Sequence, residues 1–317
     1  MRSLRRPTLR CLMVMLMLVP ACGSDSPSTA STVAPATLAP STVGPTTAAT
    51  AAAERLEAVE TPAVVPPVTP VPSPIPMPVV ETMQTRFDYG SGPDQIGWLK
   101  YPAGTSPTDG FPVVVLIHGG FWRQPFDASL MNGLADDLAE RGYASWNIEY
   151  RRVDGAGGWP ETGDDVAAAI NYLADLDAEY PIDLERAVSV GHSAGGHLGL
   201  WALGQQDRVQ LRGSVGLGAV VDLAYFPQAQ GLLGGPVDQV PEVYADAAPV
   251  LDPSRVVLMQ GSSDFIVPAA SLQLAQDALV PIVTIDGDDH FDLIDPSSDS
   301  WAAALVAVES FVNLSGD

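Results

Sequence analysis

The sequence predicts an α/β fold: a mostly parallel sheet of eight strands, with helices on both faces and a small lid. Short, wholly apolar runs recur between residues 83 and 317, and such runs are typical of strands buried on both faces of a parallel sheet. Segments with helical spacing lie between these runs, so strands and helices alternate along the chain. This region is long enough to form one domain with a full hydrophobic core.

The predicted elements can be placed in chain order. Strands are expected at residues 85–89, 97–101, 113–117, 143–149, 187–190, 214–223, 256–260 and 281–285. Helices are expected at residues 130–141, 161–180 and 194–203. The lid is assigned to residues 224–255. Because that segment is short and contains several glycines, it is not expected to enclose a long fatty-acyl tunnel.

A Gly-x-Ser-x-Gly motif connects the strand at 187–190 to the helix at 194–203. Its serine is Ser193, and its glycines are Gly191 and Gly195. A serine on a sharp turn between a strand and a helix is held clear of the fold, and the close backbone approach at such a turn requires glycine on both sides. The helix N-terminus then directs its amides toward a developing oxyanion. We therefore expect Ser193 to be a catalytic nucleophile.

A His-Gly-Gly loop follows the predicted strand at 113–117. Such a loop can direct main-chain N–H groups into an active site, where they stabilise an oxyanion together with the N–H of the residue after the nucleophile. The candidate donors are the backbone N–H groups of Gly119, Gly120, Phe121 and Ala194. Which of the first three completes the oxyanion hole stays open at this stage.

An acid and a histidine lie on the loops after the last two predicted strands. They are Asp264 and His290, and the chain order Ser193, Asp264, His290 matches that of an α/β-hydrolase triad. His290 would take the serine proton and later give it to the leaving group, while Asp264 would orient the imidazole and stabilise its charged form. Asp222, at the end of an earlier predicted strand, is the alternative acid.

These motifs together resemble the esterase/lipase-like branch of the α/β-hydrolase superfamily, and within it the kynurenine formamidase-like and small acyl-esterase group. The resemblance covers residues 83–317 and rests on four stretches, at residues 118–122, 191–198, 221–223 and 290–296. It implies an α/β-hydrolase fold and a serine hydrolase that needs no cofactor. The chain departs from the hormone-sensitive-lipase pattern at Phe121, which replaces the third glycine of His-Gly-Gly-Gly.

Several other residues have more than one interpretation. His192 and His197 are expected to pack beneath the nucleophile turn rather than to act in catalysis. Trp122 and Phe121 either wall a substrate pocket or pack in the core. No metal site is expected, because carboxylates beside one histidine on a loop are more often turn formers. The carboxylates around the candidate catalytic histidine are Asp288, Asp289, Asp292 and Asp295.

Residues 1–21 have the composition of a signal peptide. Four arginines precede an apolar run that is too short to span a bilayer. The run ends in Val19-Pro20-Ala21-Cys22, which resembles a bacterial lipobox, with Pro20 as a departure. The expectation is an exported protein that faces outward from the cell membrane on a lipidated Cys22. The alternative is a secreted protein, cut by an ordinary signal peptidase.

Residues 22–82 are rich in Pro, Ser, Thr and Ala and contain almost no aromatic residues. Such a segment buries too little apolar surface to offset its ordering entropy, so it is expected to be a disordered tether. The net charge of −23 argues against nucleic acid as a partner. The expected partner is a small-molecule ester or amide, and the only expected membrane contact is the N-terminal lipid. The oligomeric state stays open.

The leading functional hypothesis is hydrolysis of small acyl esters through an acyl-enzyme on Ser193. One alternative is N-formyl amide hydrolysis, which the formamidase-like resemblance implies but which fits an exported enzyme less well. Another alternative, from a different class, is a tethered envelope scaffold without catalytic activity. The scaffold is disfavoured because all three candidate triad residues are present.

Overall fold

A computed structural model describes residues 80–205 and 207–314. The predicted signal peptide and nearly all of the predicted tether lie outside these residues. The strands are β1 Thr82–Asp88, β2 Ile96–Pro102, β3 Phe111–Ile117, β4 Ala144–Ile148, β5 Ile182–His192, β6 Ser214–Leu217, β7 Val256–Gly261 and β8 Ile282–Ile285. They form one sheet in the order β1-β2-β4-β3-β5-β6-β7-β8. The β1–β2 and β2–β4 pairs are antiparallel and the other pairs are parallel, which confirms the predicted mostly parallel sheet.

Helices cover both faces of this sheet. They are α1 Asn132–Glu140, α2 Glu161–Leu176, α3 Ala194–Ala202, α4 Ala229–Leu233, α5 Pro241–Asp246, α6 Gln273–Asp277 and α7 Asp299–Val312. Alternate residues of β3 point to opposite faces, as in any strand. Val113 and Val115 pack in one apolar core with α2 and α3, whereas Val114 and Leu116 pack in a second core with α1 and α7. Both cores form because the central strands are apolar on both faces.

Two predicted elements end earlier than expected. Strand β6 stops at Leu217 because Gly218 takes a left-handed conformation, with φ of +53°, which no strand continues. Helix α2 stops at Leu176, and residues 177–180 form a turn before Pro181, in which the N–H groups of Glu179 and Tyr180 both donate to the Leu176 carbonyl. The predicted strand to residue 223 and the predicted helix to residue 180 were therefore wrong at their C-terminal ends.

The predicted lid segment, residues 224–255, contains the short helices α4 and α5. Its C-terminal part is tied to the α2–α3 side of the sheet by three side chains. The His197 ring bonds through Nε2 to the Ala247 carbonyl at 2.8 Å, and the Trp201 indole donates to the Asp246 carbonyl at 2.9 Å. The Trp159 indole donates to the Asp246 carboxylate at 2.7 Å. Within residues 80–205 and 207–314, no helix is long and apolar enough to cross a bilayer.

Candidate active site

Ser193 lies on the turn between β5 and α3. Its backbone has φ of 55° and ψ of −117°, a conformation that is rare for any residue with a side chain. The turn is so tight that a β-carbon on Gly191 would lie 2.2 Å from the Gly195 carbonyl oxygen, and one on Gly195 would lie 2.2 Å from the Ile117 oxygen. Only glycine fits at both positions, in agreement with the sequence prediction. The strained turn presents the Ser193 side chain to a cavity at the carboxyl ends of the strands.

Asp264 and His290 meet beside this turn. The Nδ1 atom of His290 lies 2.7 Å from Oδ2 of Asp264, and both residues are buried. The other carboxylate oxygen of Asp264 accepts the backbone N–H groups of Ile266 at 2.9 Å and Val267 at 2.8 Å. Since an ionised carboxylate only accepts hydrogen bonds, Nδ1 of His290 carries the proton and Nε2 is left as an acceptor. The imidazole is thus in the tautomer that a general base needs.

Asp222, the alternative acid, does not contact His290. It precedes the short helical turn Leu223–Tyr225, and its carboxylate accepts the backbone N–H of Ala224 at 3.0 Å. It follows a turn rather than ending a strand, because β6 stops five residues earlier at Leu217. Of the two acids proposed from the sequence, the structure therefore brings Asp264 to the histidine.

The loop after β3 approaches the nucleophile turn more closely than any side chain would allow. A β-carbon on Gly119 would lie 2.9 Å from Cβ of Ser193. The next residues, Gly120 and Phe121, have φ of +110° and +56°, so the backbone turns in the left-handed region. In the described part of the chain, the N–H groups of these three loop residues donate to no protein acceptor. The N–H of Ala194, in the first turn of α3, has no intrahelical acceptor either.

The nucleophile faces a small apolar cavity of about 40 Å³. It is lined by Gly120, Phe121, Phe126, Leu130, His192, Ser193, Ile266, His290 and Phe291. None of these residues comes from the predicted lid segment 224–255. Trp122 is also absent from the lining: it is 1% exposed and packs edge-on against the His197 ring, with ring centroids 5.4 Å apart. Trp122 is therefore a core residue, and Phe121 is the wall of the cavity.

Five of the lining residues were not expected there from the sequence: His192, Phe126, Leu130, Ile266 and Phe291. Phe126 and Leu130 follow the His-Gly-Gly loop, Ile266 lies two residues after the candidate acid, and Phe291 directly follows the candidate base. A large apolar residue beside the candidate base was the available signal for Phe291. The same signal fails at the candidate acid, because its direct neighbour Phe265 is 90% exposed and does not line the cavity. The position of Phe126 depends on the path of the loop, which no sequence pattern indicates.

A family model described as BD-FAE matches residues 100–223. Esterase LipC of Mycobacterium tuberculosis is 27% identical over 259 residues, a match that covers 70% of this chain and 63% of LipC. The structure of esterase B from Lactobacillus Rhamnosis has a TM-score of 0.61 at 20% identity, and covers 73% of this chain and 85% of that one. A truncated carbohydrate esterase from gut microbiota has a TM-score of 0.64 at 17% identity, with 73% and 96% covered.

Residues 80–205 and 207–314 have the α/β-hydrolase fold. The sheet order, the turn at Ser193 and the likeness to esterase structures agree on that fold. The resemblance to the esterase/lipase-like branch that the motifs predicted is confirmed by the BD-FAE match and by the similarity to LipC. The chain spans 63% of the length of LipC.

Buried polar residues fix the path of the His-Gly-Gly loop that follows β3. His118 lies 2.9 Å from the Glu149 carboxylate, whose second oxygen accepts the Ala128 N–H at 3.0 Å. The Arg152 guanidinium pairs with Glu149 at 3.1 Å and donates to the Phe126 carbonyl. These bonds join both ends of the loop to the end of β4. A guanidinium and a carboxylate that are both buried must be paired. Arg152 also pairs with Asp94 at 3.0 Å, while its Nε atom has no partner among the described residues.

Two further histidines of the α/β-hydrolase flank Ser193. Burial lowers the pKa of His192 to about 3 and that of His197 to about 4. His197 packs behind the turn, as expected. His192 instead lines the catalytic cavity and contacts His290, with their ring centroids 4.5 Å apart. Both imidazoles are neutral at ordinary pH because the dry surroundings disfavour their charged forms.

The carboxylates beside His290 form turns. Asp289 accepts the N–H of Phe291 at 2.7 Å, Asp295 accepts the N–H of Ser297 at 2.8 Å, and Asp288 binds the Ser300 hydroxyl at 2.5 Å. The backbone bonds at Asp289 lower its pKa, which keeps it ionised as an acceptor. Among residues 80–205 and 207–314, no three His, Cys, Asp or Glu side chains are grouped so that they could hold a metal ion.

Proposed function

We propose that this α/β-hydrolase is a serine esterase that cleaves small acyl esters through an acyl-enzyme on Ser193. The observation that carries the proposal is the strained turn at Ser193, which presents the hydroxyl to a cavity that it shares with His290. The 2.7 Å contact between His290 and Asp264 supports it, because it sets the tautomer of a general base. The similarity to esterases in sequence supports ester substrates over other acyl compounds.

The reaction begins when Nε2 of His290 takes the proton of Ser193 and the serine Oγ attacks the ester carbonyl carbon. The carbonyl oxygen becomes an oxyanion, which accepts hydrogen bonds from the Ala194 N–H and from N–H groups of the loop at Gly119, Gly120 and Phe121. The C–O bond to the alcohol then breaks, and His290 gives its proton to the departing oxygen. The products of this half-reaction are the free alcohol and the Ser193 ester.

Water completes the cycle. His290 takes a proton from the water, and its oxygen attacks the carbonyl carbon of the Ser193 ester. A second oxyanion forms in the same place. When the bond from carbon to Ser193 Oγ breaks, His290 returns its proton to the serine, and the carboxylic acid leaves. Throughout, Asp264 stays ionised and stabilises the positive charge on the imidazolium ring.

The cavity favours short acyl groups. A volume of about 40 Å³ holds only a few water-sized groups, so acetyl or propionyl fits and a fatty-acyl chain does not. Its walls are mostly apolar, which suits the hydrocarbon end of an acyl group rather than a charged one. The leaving group lies toward the opening, where the Phe291 and Phe126 rings are partly exposed.

The same proposal extends to location. The protein is exported, Cys22 carries the lipid, and the segment between Cys22 and strand β1 tethers the enzyme to the outer side of the cell membrane. The basic and apolar start of the chain and its lipobox-like sequence support this. Two acyl chains on one cysteine give stable anchoring, since each buried methylene contributes about 0.8 kcal/mol.

A substrate series tests the proposed activity. The purified protein is assayed on p-nitrophenyl acetate, butyrate, hexanoate and octanoate, beside N-formylkynurenine. We expect kcat/KM to be highest for acetate and to fall steeply with chain length. A faster reaction with N-formylkynurenine than with acetate would show a formamidase instead. No turnover of any of these compounds by well-folded protein would contradict the esterase and favour the scaffold.

A further inference from the structure

We propose that His192 is a positioning residue: through one neutral imidazole it holds the His290 loop in place against the turn that carries Ser193. The proposal rests on the function proposed above. His192 is the last residue of β5 and directly precedes Ser193, so its ring moves with the nucleophile turn. Its Nε2 atom lies 3.0 Å from the backbone carbonyl oxygen of His290. Because a carbonyl only accepts, Nε2 carries the proton and donates.

This hydrogen bond acts on the catalytic histidine itself. The carbonyl that accepts it belongs to His290, whose Nδ1 is bound to Asp264 on the far side. The imidazole of His290 is thus fixed through its side chain by Asp264 and through its backbone by His192. The two rings also pack at a centroid distance of 4.5 Å and an angle of 44°. These contacts oppose movement of His290 away from Ser193.

The other edge of the His192 ring meets the oxyanion loop. A β-carbon on Gly119 would lie 2.8 Å from Nδ1 of His192, so the Gly119 backbone packs directly on that edge. Within the described residues, Nδ1 has no hydrogen-bond partner and is buried. It is the unprotonated nitrogen, because Nε2 holds the proton. The small, neutral edge lets the loop approach the nucleophile, and a proton there would have no acceptor.

His192 therefore contacts three parts of the proposed machinery. It is joined covalently to Ser193, by a hydrogen bond to His290 and by packing to Gly119. Its ring must stay neutral, because a charge there would face His290, whose own positive charge develops during the reaction; Asp264 and His118 are the other ionisable groups that act on the ring. A misplacement of about 1 Å between reacting groups costs on the order of 10²-fold in rate. Loss of the His192 bond should therefore lower turnover without weakening substrate binding.

Four variants of the full-length protein test the proposal. In His192→Gln the side-chain amide can reach the His290 carbonyl and donate to it. His192→Phe keeps a ring but has no donor, and His192→Asn has a donor that is too short to reach. His197→Phe is the matched control, since that histidine is equally buried but bonds to Ala247 instead of His290. Each variant is first compared with wild type by thermal unfolding. If His192→Phe does not fold, His192→Asn alone serves as the variant that lacks the hydrogen bond.

The measurements are kcat and KM on p-nitrophenyl acetate and the rate of labelling by a fluorophosphonate. We expect His192→Phe and His192→Asn to lower kcat and the labelling rate by about 10²-fold, while KM stays within a few-fold of the wild-type value. For His192→Gln and His197→Phe, kcat and the labelling rate should stay within about 10-fold of wild type. If His192→Phe and His192→Asn label as fast as wild type, or if Gln fails to restore the rate, the positioning role is wrong. If wild type itself is not labelled, the proposed function fails instead.

Discussion

The carboxylate of Asp264 accepts from His290 on one oxygen and from two backbone N–H groups on the other. The contact to Nδ1 of His290 measures 2.7 Å, and those to the N–H groups of Ile266 and Val267 measure 2.9 and 2.8 Å. The backbone bonds fix the carboxylate, and the fixed carboxylate sets the orientation of the ring. Asp264 is therefore bound from both sides before it acts on His290, which removes the need for it to reorganise during the reaction.

Replacement of Asp264 by asparagine keeps the size of the side chain but should change the tautomer of the His290 ring. The amide oxygen can still accept the backbone N–H groups, but an NH2 group facing His290 favours the wrong tautomer. We expect Asp264→Asn to lower kcat by about 10⁴-fold with little change in fold. Asp222→Asn is the control, because Asp222 caps a helical turn and should affect stability only. Steady-state kinetics on p-nitrophenyl acetate measure both. A larger loss of turnover at position 222 would contradict the assignment.

The size of the acyl cavity should be adjustable at Phe126. This ring lines the cavity and is 38% exposed, and alanine keeps the β-carbon that packs against Gly120. Each methylene that fits contributes about 0.8 kcal/mol, so Phe126→Ala should raise kcat/KM for butyrate relative to acetate roughly tenfold. Phe265→Ala is the control, since Phe265 is 90% exposed and does not line the cavity. An equal shift in both variants would show that the cavity does not select the acyl group.

The buried histidines predict loss of stability in acid. Burial holds the pKa of His197 at about 4, against 6.5 in the unfolded chain. Between these values the unfolded chain binds a proton that the folded protein does not, so the free energy of unfolding falls as pH falls from about 6.5 to about 4. His197→Gln has no such proton, and its amide can still donate to Ala247. Urea unfolding from pH 7 to 4.5 should show wild type losing about 1 kcal/mol more per pH unit than the variant. If the free energies of unfolding of wild type and His197→Gln fall equally with pH, burial of a neutral His197 does not cause the loss of stability.

The proposed lipid anchor depends on one cysteine. Cys22→Ser should abolish lipidation, because serine has no thiol to accept the lipid. The variant should then remain as a precursor or be released by another peptidase. The measurement is incorporation of labelled fatty acid, together with fractionation of cells that make each form. Wild-type protein that carries no label and appears wholly in the medium would rule out the anchor and leave a secreted enzyme.

The sequence was sufficient to predict the sheet and to place Ser193, Asp264 and His290 at one edge of it, because both depend on local patterns. The apolar runs at Val113–Ile117 and Ala187–Val190 have no polar alternation, and both became central strands. Ser193 directly follows strand β5, whereas Asp264 and His290 lie on the loops that follow β7 and β8. Since the carboxyl ends of parallel strands meet at one edge of the sheet, such residues converge without further information.

The errors come from tertiary contacts that leave no local pattern. Residues Ala219, Val220 and Val221 are buried and read as a continuation of β6, but they lie after the left-handed turn at Gly218. Gly196 packs directly on Ala219, with a β-carbon position 2.5 Å from its side chain, so this segment is buried by α3 rather than by pairing in the sheet. Burial alone does not separate these two environments in the sequence.

The position of the lid segment and the environment of Trp122 could not be predicted from the sequence, for a related reason. Glycines and length predicted a small lid at 224–255, but its position is set by His197, Trp201 and Trp159, which bind its end at Asp246 and Ala247. Trp122 follows the His-Gly-Gly loop, yet left-handed turns at Phe121 and Trp122 send its ring into the core. Loop paths of this kind depend on side chains distant in sequence.

Mass spectrometry after fluorophosphonate treatment shows whether Ser193 forms the proposed covalent intermediate. The intact wild-type protein should gain the mass of one label, and digestion should place that label on Ser193. Ser193→Ala should gain none, and its kcat should fall by about 10⁴-fold or more while its unfolding temperature stays near that of wild type. A label on any other residue, or equal labelling of Ser193→Ala, would show that Ser193 is not the nucleophile.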